Sequence, residues 1–218
     1  MLKQGNKYKQ SFRNYENGII TKRNSICTSY SSFTTGNETV LPKQSQVVIC
    51  GAGTVANSVA YHLVQNGWND ILILEQNKIG SGTSHFGSGT LGLFKPIADR
   101  NLIMYSIKLY RRLQELGYDI GFKQSGSVNL AQTKDRLIAL KRRMAYHQAT
   151  GLHCEVVENK DLKNFHPYLR TEDLEVQYGY LWVPEDAVAK PQAICEALAK
   201  LAKEGGARYV EDCRVLQD

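Results

Sequence analysis

One stretch of 29 residues, VVICGAGTVANSVAYHLVQNGWNDILILE from Val47 to Glu75, constrains the fold more than any other part of this chain. Its first four residues, Val47–Cys50, are apolar without alternation, which predicts a strand that is buried on both faces. Gly51 and Gly53 follow at once. Glycines directly after a strand predict a tight turn in which the backbone can approach a ligand closely.

A helix and a second strand complete this unit. After the turn, apolar residues recur at helical spacing and include Val55 and Val59, and Gly67 lies where the helix is expected to end. A second apolar run, Ile71–Leu74, finishes on an acid. This order of strand, helix and strand, with glycines at the first turn, places the pyrophosphate of a dinucleotide on a helix N-terminus.

The small residues of the turn and the acid that ends the second strand have separate roles in this pattern. Gly51 permits the turn, Gly53 lets the backbone approach the phosphates, and Ala56 lets the helix pack closely on its strand. Glu75 stands 24 positions after Gly51, where a carboxylate accepts hydrogen bonds from ribose hydroxyls and disfavours a 2′-phosphate. The alternative is a glycine-rich turn that no longer binds a ligand.

Charge and cysteine content argue against several other classes of protein. The 218 residues carry a net charge of +6, but residues 1–46 alone hold seven lysines and arginines against two glutamates, a net of +5. The rest of the chain is nearly neutral, which argues against binding of nucleic acid. The five cysteines are scattered and odd in number, so they predict neither a disulfide framework nor a metal site. No apolar run is long enough to span a membrane.

Residues 1–43 are predicted to be a leader that precedes the folded domain. They are basic, rich in serine and threonine and poor in acids, which is the composition of a mitochondrial transit peptide. The alternative is a disordered leader without a targeting role, because the apolar stripe of this segment is ragged.

The remaining sequence predicts further helices and strands. Helices are expected over 101–116, from a Thr133 cap to about 149, and over 191–202, with strands at 126–131, 155–157, 178–183, 207–210 and 213–216 and a helical turn at 161–165. The order predicts an α/β fold, a Rossmann-like domain that starts with the βαβ unit and carries an α+β insertion. The predicted inward residues are Leu102, Tyr105, Leu109, Leu113 and Leu116 on the first of these helices, and Leu137, Ile138, Leu140 and Met144 on the second.

A segment of small residues, GSGTSHFGSGT from Gly80 to Thr90, follows the βαβ unit. It is too poor in large apolar residues to form core and too long for a simple turn. Two interpretations stay open for it: a second place where backbone approaches the ligand closely, or a flexible surface loop.

In these motifs the chain resembles the FAD-dependent oxidoreductases of the D-amino-acid-oxidase and glycine-oxidase type. The resemblance runs from about Val47 to the C-terminus and rests on VVICGAGTVANSVAYHL, ILILEQ and the loop 80–90. Within this superfamily, SVAYHL, SIKLYRRLQE, GSVNLAQTKDRL and YLWVPEDAVA are similar to the mitochondrial dimethylglycine and sarcosine dehydrogenases and to regulatory subunits of pyruvate dehydrogenase phosphatase. The resemblance implies FAD as the dinucleotide. It also implies a truncated domain over 44–218, with FAD-binding parts at 44–117 and 187–218 around a substrate-type insertion at 118–186.

Two features separate the branches of this superfamily. The dehydrogenases have a loop sequence similar to GSTWHAAG, in which the histidine attaches covalently to the flavin. An ungapped alignment puts Phe86 at that histidine and His85 at the tryptophan. Phe86 and the later segment 183–188, VPEDAV, resemble the regulatory subunits instead. This implies non-covalent FAD and a non-catalytic subunit that acts on the pyruvate dehydrogenase phosphatase catalytic subunit in the mitochondrial matrix. The alternative is an FAD-dependent amine dehydrogenase of the dimethylglycine or sarcosine type.

The resemblance also implies which residues hold the cofactor, but it transfers no catalytic residue and no metal ligand to this sequence. The implied positions are Gly51, Gly53 and Ala56 at the pyrophosphate, Glu75 with its neighbour Gln76 at the adenosine ribose, Gly82, Thr83 and Ser84 on a second side of the cofactor, and Gly87 to Gly89 near the flavin ring.

Overall fold

A computed structural model describes residues 41–157, 161–168 and 179–215. The chain divides into two units, Met1–Gln44 and Ser45–Asp218, and the fold below is that of the second unit. The predicted leader lies almost entirely outside the described residues. The elements are β1 (Val47–Cys50), α1 (Thr54–Gln65), β2 (Ile71–Leu74), β3 (Thr90–Leu91), α2 (Ile97–Glu115), β4 (Ser127–Ala131), α3 (Lys134–Ala149), β5 (Glu155–Val157), α4 (Leu162–Phe165), β6 (Gly179–Val183), β7 (Ala187–Val188), α5 (Pro191–Glu204) and β8 (Arg208–Val210).

The βαβ unit forms one side of a parallel sheet whose strand order is β1-β2-β8. Strands β1 and β2 have the predicted bounds, and β2, at the centre, is buried at all four residues. The prediction that β1 is buried on both faces is wrong, because Val48 is 52% exposed. Among the described residues β1 is an edge strand with alternating burial, so only one of its faces is covered by core.

Helix α1 buries small and polar residues instead of the valines that its sequence pattern indicated. Val55 and Val59 are 77% and 45% exposed, whereas Asn57 and Ala60 are completely buried. The buried side lies against α5, and a side chain added at Gly205 would overlap Val64 of α1. Because the two backbones approach so closely, only small side chains fit between them, and the valines are left on the outer side.

Helix α2 begins four residues earlier than predicted and buries a different face. Its buried apolar residues are Ile107, which joins the core of the antiparallel sheet, and Tyr110 and Leu113, which join the core around α5. The helix therefore packs against two neighbours, and their positions decide which face is covered. Three residues that the pattern placed inward are exposed: Leu102, Tyr105 and Leu116.

The predicted insertion contains an antiparallel sheet with strand order β4-β6-β5, and α3 packs against it. The predicted cap of α3 is confirmed, since the amide of Arg136 donates to the Thr133 hydroxyl oxygen at 3.1 Å. Leu140 of α3 is buried against Leu181 of β6. Ile138, which was also predicted to face inward, is exposed.

Two short strands that the sequence did not predict, β3 and β7, pair antiparallel and connect the loop 80–90 to the start of α5. Helix α5 begins at Pro191 as predicted, and Gly205 and Gly206 follow its end. The predicted strand at 213–216 is wrong for its described part, because residues 213–215 form no strand. Within the described ranges, no helix combines the length and apolar character needed to cross a membrane.

Candidate functional site

The turn between β1 and α1 is the centre of the candidate site. Gly51 has φ +94°, a left-handed conformation that favours glycine, and its amide donates to the carbonyl of Leu74 on β2 at 2.7 Å. A Cβ on Gly51 would meet no heavy atom within 4 Å, so open space adjoins the turn on that side. The tight turn predicted from the sequence is present, and its contact with a phosphate stays a prediction.

The N-terminus of α1 points its first amides toward this space. The N-cap is Gly53, which has no side chain to cap the helix. The amides of Val55 and Ala56 have no hydrogen-bond partner among the described residues, and free amides at a helix N-terminus are suited to an anion. The Thr54 amide, in contrast, donates to the hydroxyl oxygen of Ser84 at 3.0 Å.

Loop 80–90 reaches the turn through two of its residues. The amide of Gly80 donates to the carbonyl of Ala52 at 2.9 Å, and the hydroxyls of Ser84 and Thr54 lie 3.1 Å apart. A Cβ on Gly53 would lie only 3.1 Å from the Ser84 oxygen, so the glycine lets the loop approach. The structure therefore brings Ser84 together with the glycine turn, as predicted, while Gly82 and Thr83 lie exposed beside it.

Glu75 connects the end of β2 to the glycine turn. One carboxylate oxygen accepts a hydrogen bond from the amide of Ala52 at 2.6 Å, and the other accepts one from the amide of Asn77 at 2.9 Å. Each oxygen has a second lone pair, so the predicted ribose contact is compatible with this geometry. Gln76 is exposed, and its side chain makes no hydrogen bond with another described residue.

Two functional supports of the turn, Asn57 and Tyr209, were missed by sequence reasoning. Asn57 is completely buried, its amide donates to the carbonyl of Ala52 at 2.7 Å, and its oxygen accepts from the hydroxyl of Tyr209 at 2.9 Å. Burial raises the pKa of the Tyr209 phenol, which therefore stays a donor. The only sequence signal was an asparagine inside an apolar helix pattern, next to the third small residue Ala56, which is half-buried.

The second half of the loop contains the glycines that were predicted to lie near a flavin ring. Gly89 has φ +68°, and a side chain there would overlap the carbonyl of Ala189, which precedes α5. A Cβ on Gly87 would lie 3.3 Å from the carbonyl oxygen of Ser84 and 3.5 Å from Pro191. Both glycines are thus needed for close packing of the loop on the start of α5, whether or not a ligand is bound.

The rings of the two aromatic residues of the loop lie edge to face, with their centroids 5.1 Å apart. Phe86 is 83% exposed. The ring of His85 is exposed too, but its Nδ1 is hydrogen-bonded to the side-chain oxygen of Gln192 on α5. In the part of the chain that the structure describes, no three His, Cys, Asp or Glu side chains are grouped to hold a metal ion.

The turn, the uncapped helix and the loop that packs on them define a dinucleotide-binding fold, and comparison with known proteins identifies its family. The family profile of FAD-dependent oxidoreductases matches residues 46–217. The chain belongs to this family, which confirms the predicted resemblance and fold class. FAD is the cofactor of the family.

Individual relatives include both branches that the sequence indicated. The chain is 39% identical over 194 residues to the mitochondrial pyruvate dehydrogenase phosphatase regulatory subunit of Mus musculus, covering 88% of this chain and 22% of that protein. It is 30% identical over 178 residues to the mitochondrial sarcosine dehydrogenase of Homo sapiens, covering 80% of this chain and 19% of the relative. The chain thus spans about a fifth of the length of these relatives.

A solved structure supports the same fold. The L-proline dehydrogenase from P. horikoshii superimposes with a TM-score of 0.71 and 28% sequence identity, covering 79% of this chain and 45% of that one. The likeness covers most of this chain and less than half of that one, so the described fold is also found within a solved dehydrogenase.

Proposed function

We propose that this chain is part of a regulatory subunit of a mitochondrial pyruvate dehydrogenase phosphatase, built on an FAD-dependent oxidoreductase fold and acting on the catalytic subunit in the matrix. The observation that carries the proposal is Phe86. It aligns with the position at which the sequences of the dehydrogenase branch have the histidine that attaches to the flavin. The higher identity to a regulatory subunit than to sarcosine dehydrogenase, 39% against 30%, supports it. The mitochondrial relatives and the composition of residues 1–43 support the location.

The residues of the glycine turn fit FAD. Gly51 faces open space, and the amides of Val55 and Ala56 are available for the pyrophosphate. Glu75, with Gln76, would hold the adenosine ribose, and Gly82, Thr83 and Ser84 would line a second side of the cofactor. Gly87 to Gly89 would lie near the flavin ring. Bound FAD would supply a two-electron acceptor, and the proposal assigns no use of it to this chain.

A covalent link to the flavin is not expected. The Phe86 side chain has no nucleophilic atom, and it is largely exposed. His85 is the neighbouring candidate, but its Nδ1 is held by Gln192. In the described part of the loop, therefore, the position that aligns with the flavin-linked histidine has no nucleophile. The imidazole beside it keeps Nε2 available but is bound to α5 through Nδ1.

The second candidate is an FAD-dependent amine dehydrogenase that oxidises dimethylglycine or sarcosine. The 30% identity to a sarcosine dehydrogenase favours it, because the shared segment includes the glycine turn. The two candidates share the fold and the cofactor, and they differ in whether a substrate reduces the flavin. Fold similarity alone does not confer the chemistry.

A reconstitution experiment separates them. The chain is loaded with FAD, its visible spectrum is recorded, and sarcosine or dimethylglycine is added without oxygen. We expect no bleaching, release of the yellow colour on acid precipitation, and a changed rate of phosphatase action on the phosphorylated pyruvate dehydrogenase complex. Bleaching by either amine would overturn the regulatory proposal in favour of the dehydrogenase.

His85→Ala is the control for covalent attachment. Colour that stays in the acid pellet of the wild type but is released from His85→Ala would show that His85 takes over the link. We expect equal release from both proteins, because the ring is engaged with α5 instead.

A further inference from the structure

A cavity of roughly 200 Å³ lies between the predicted insertion and the segment that follows β3, and none of its lining residues belongs to the glycine turn or the loop 80–90. We propose that this cavity is a binding site for a small organic carboxylate or phosphate ester, with Arg143 as the main recognition residue. The site is lined by Gly92, Phe94 and Lys95 after β3, Ser127 and Asn129 of β4, Arg143 of α3 and Asp186 before β7.

Arg143 is held in place without an ion pair among the described residues. Its guanidinium stacks over the ring of Phe94 at 4.4 Å, and one Nη donates to the Phe94 carbonyl at 3.1 Å. It has no carboxylate partner among the described residues. A guanidinium has five N–H donors, so most of them are free for a ligand, and the fixed plane suits the two oxygens of a carboxylate or phosphate.

Lys95 and Asn129 supply further unused donors. Neither side chain makes a hydrogen bond or ion pair with another residue in the described ranges, although both line the cavity. Together with Arg143 they give two positive charges and an amide around one space. Donors that converge on a small concave space are the usual features of a ligand site.

Asp186 is the one carboxylate in the lining, and its oxygens are already engaged. The amide of Leu93 donates to Oδ1 at 2.7 Å, and the hydroxyl of Ser127 donates to Oδ2. Burial raises the pKa of this carboxyl group. The lining therefore keeps an excess of positive charge.

The size of the cavity limits the ligand. Since one water occupies about 30 Å³ of liquid, the space holds a group of several non-hydrogen atoms, which is the size of a small carboxylate or phosphate group. Gly92 forms part of the wall, and a Cβ there would point to Oδ2 of Asp186 at 3.7 Å without clashing. Its backbone is outside the left-handed region, so a larger residue can replace it to fill the space.

The test is calorimetric titration of the chain at low salt with malonate, with inorganic phosphate and with neutral malonamide. We expect malonate or phosphate, but not malonamide, to bind, and the stronger of the two anions identifies the ligand as a carboxylate or a phosphate. Arg143→Gln should weaken binding at least about tenfold, because a charge-assisted pair of hydrogen bonds is lost. Gly92→Val should abolish it by filling the cavity while all charges remain.

Arg142→Gln is the matched control. Arg142 is the next residue of α3, it is exposed, and it does not line the cavity. Its replacement removes the same charge and should change the affinity less than twofold. Equal weakening by Arg142→Gln and Arg143→Gln, or no binding of either anion to the wild type, would overturn the proposal.

Discussion

Beside each of the two sheets, one buried polar side chain holds a neighbouring backbone segment by a hydrogen bond. The two side chains differ, because only one of them can ionise. Beside the parallel sheet, the neutral amide of Asn57 holds the carbonyl of Ala52 in the glycine turn. Beside the antiparallel sheet, the carboxyl group of Asp186 holds the amide of Leu93. The comparison indicates that the Asn57 contact with the dinucleotide turn does not depend on pH, whereas the Asp186 contact in the wall of the proposed anion site does.

The largest effect is expected from Asn57→Ala. The substitution removes two buried hydrogen bonds and leaves the hydroxyl of Tyr209 and the carbonyl of Ala52 without partners. We expect the free energy of unfolding to fall by about 3 kcal/mol, by the same amount at pH 5 and pH 8, as measured by urea unfolding.

Asn66→Ala is the control for this change. Asn66 is exposed at the end of α1, and its side chain makes a single hydrogen bond, to the carbonyl of His62. We expect it to cost less than about 1 kcal/mol. If Asn57→Ala costs no more than this control, the buried amide is not the support of the turn.

Asp186→Asn should have a smaller effect that depends on pH. Because burial raises the pKa of this carboxyl group in the folded chain, the folded state holds the proton more tightly than the unfolded state. The stability that protonation contributes is complete below the ordinary pKa of about 4 and is lost as the pH rises through the raised pKa.

Urea unfolding between pH 4 and pH 7 measures this effect. We expect the free energy of unfolding of the wild type to exceed that of Asp186→Asn by about 1 kcal/mol at pH 4. This difference should shrink as the pH rises. Asp119→Asn, at an exposed aspartate, is the control for loss of one carboxylate and should lower the free energy of unfolding at pH 4 less than Asp186→Asn does. A difference between Asp186→Asn and the wild type that stays constant with pH would contradict the proposed contrast between the two sheets.

His147→Gln should give the smallest effect, with the opposite dependence on pH. His147 is buried, and burial followed by the charges of Arg143 and Arg100 lowers its pKa. A lowered pKa means that the stability contributed by the neutral ring is present above about pH 6.5 and is lost as the pH falls through the folded value.

The measurement is the loss of stability of each protein on going from pH 7 to pH 5. We expect His147→Gln to lose less free energy of unfolding than the wild type over this pH change. His153 is exposed, and His153→Gln should lose as much as the wild type. Equal losses in all three proteins would show that His147 does not contribute to the acid sensitivity of the insertion.

The elements that depend on local signals could be predicted from the sequence. The bounds of β1 and β2, the Thr133 cap and the start of α5 at Pro191 follow from residues that are neighbours in the chain. The glycine turn belongs to this group, since the strand before it and the helix after it define its geometry. For the same reason, the family and the fold class could be predicted.

Two features could not be predicted in this way: which face of each helix is buried, and which residues distant in the chain contact each other. Val55, Val59 and Leu102 are exposed because the crossing of α1 with α5 and the two neighbours of α2 decide which side is covered. A single sequence does not show these crossings. Asn57 and Asp186 were missed for a related reason, because a polar residue reveals a buried role only when its distant partner is known.

The pairing of β3 with β7 has a consequence for the order in which the protein forms during synthesis. Thr90 pairs with Val188, so nearly half of the chain is made between the two strands of this ladder. The glycine turn between β1 and α1 can form from adjacent residues as they leave the ribosome, but the loop 80–90 gains its support on α5 only much later. A nascent chain therefore possesses the glycine turn well before the loop 80–90 is held on α5, and the proposed FAD site is complete only after residues near 190 have been made.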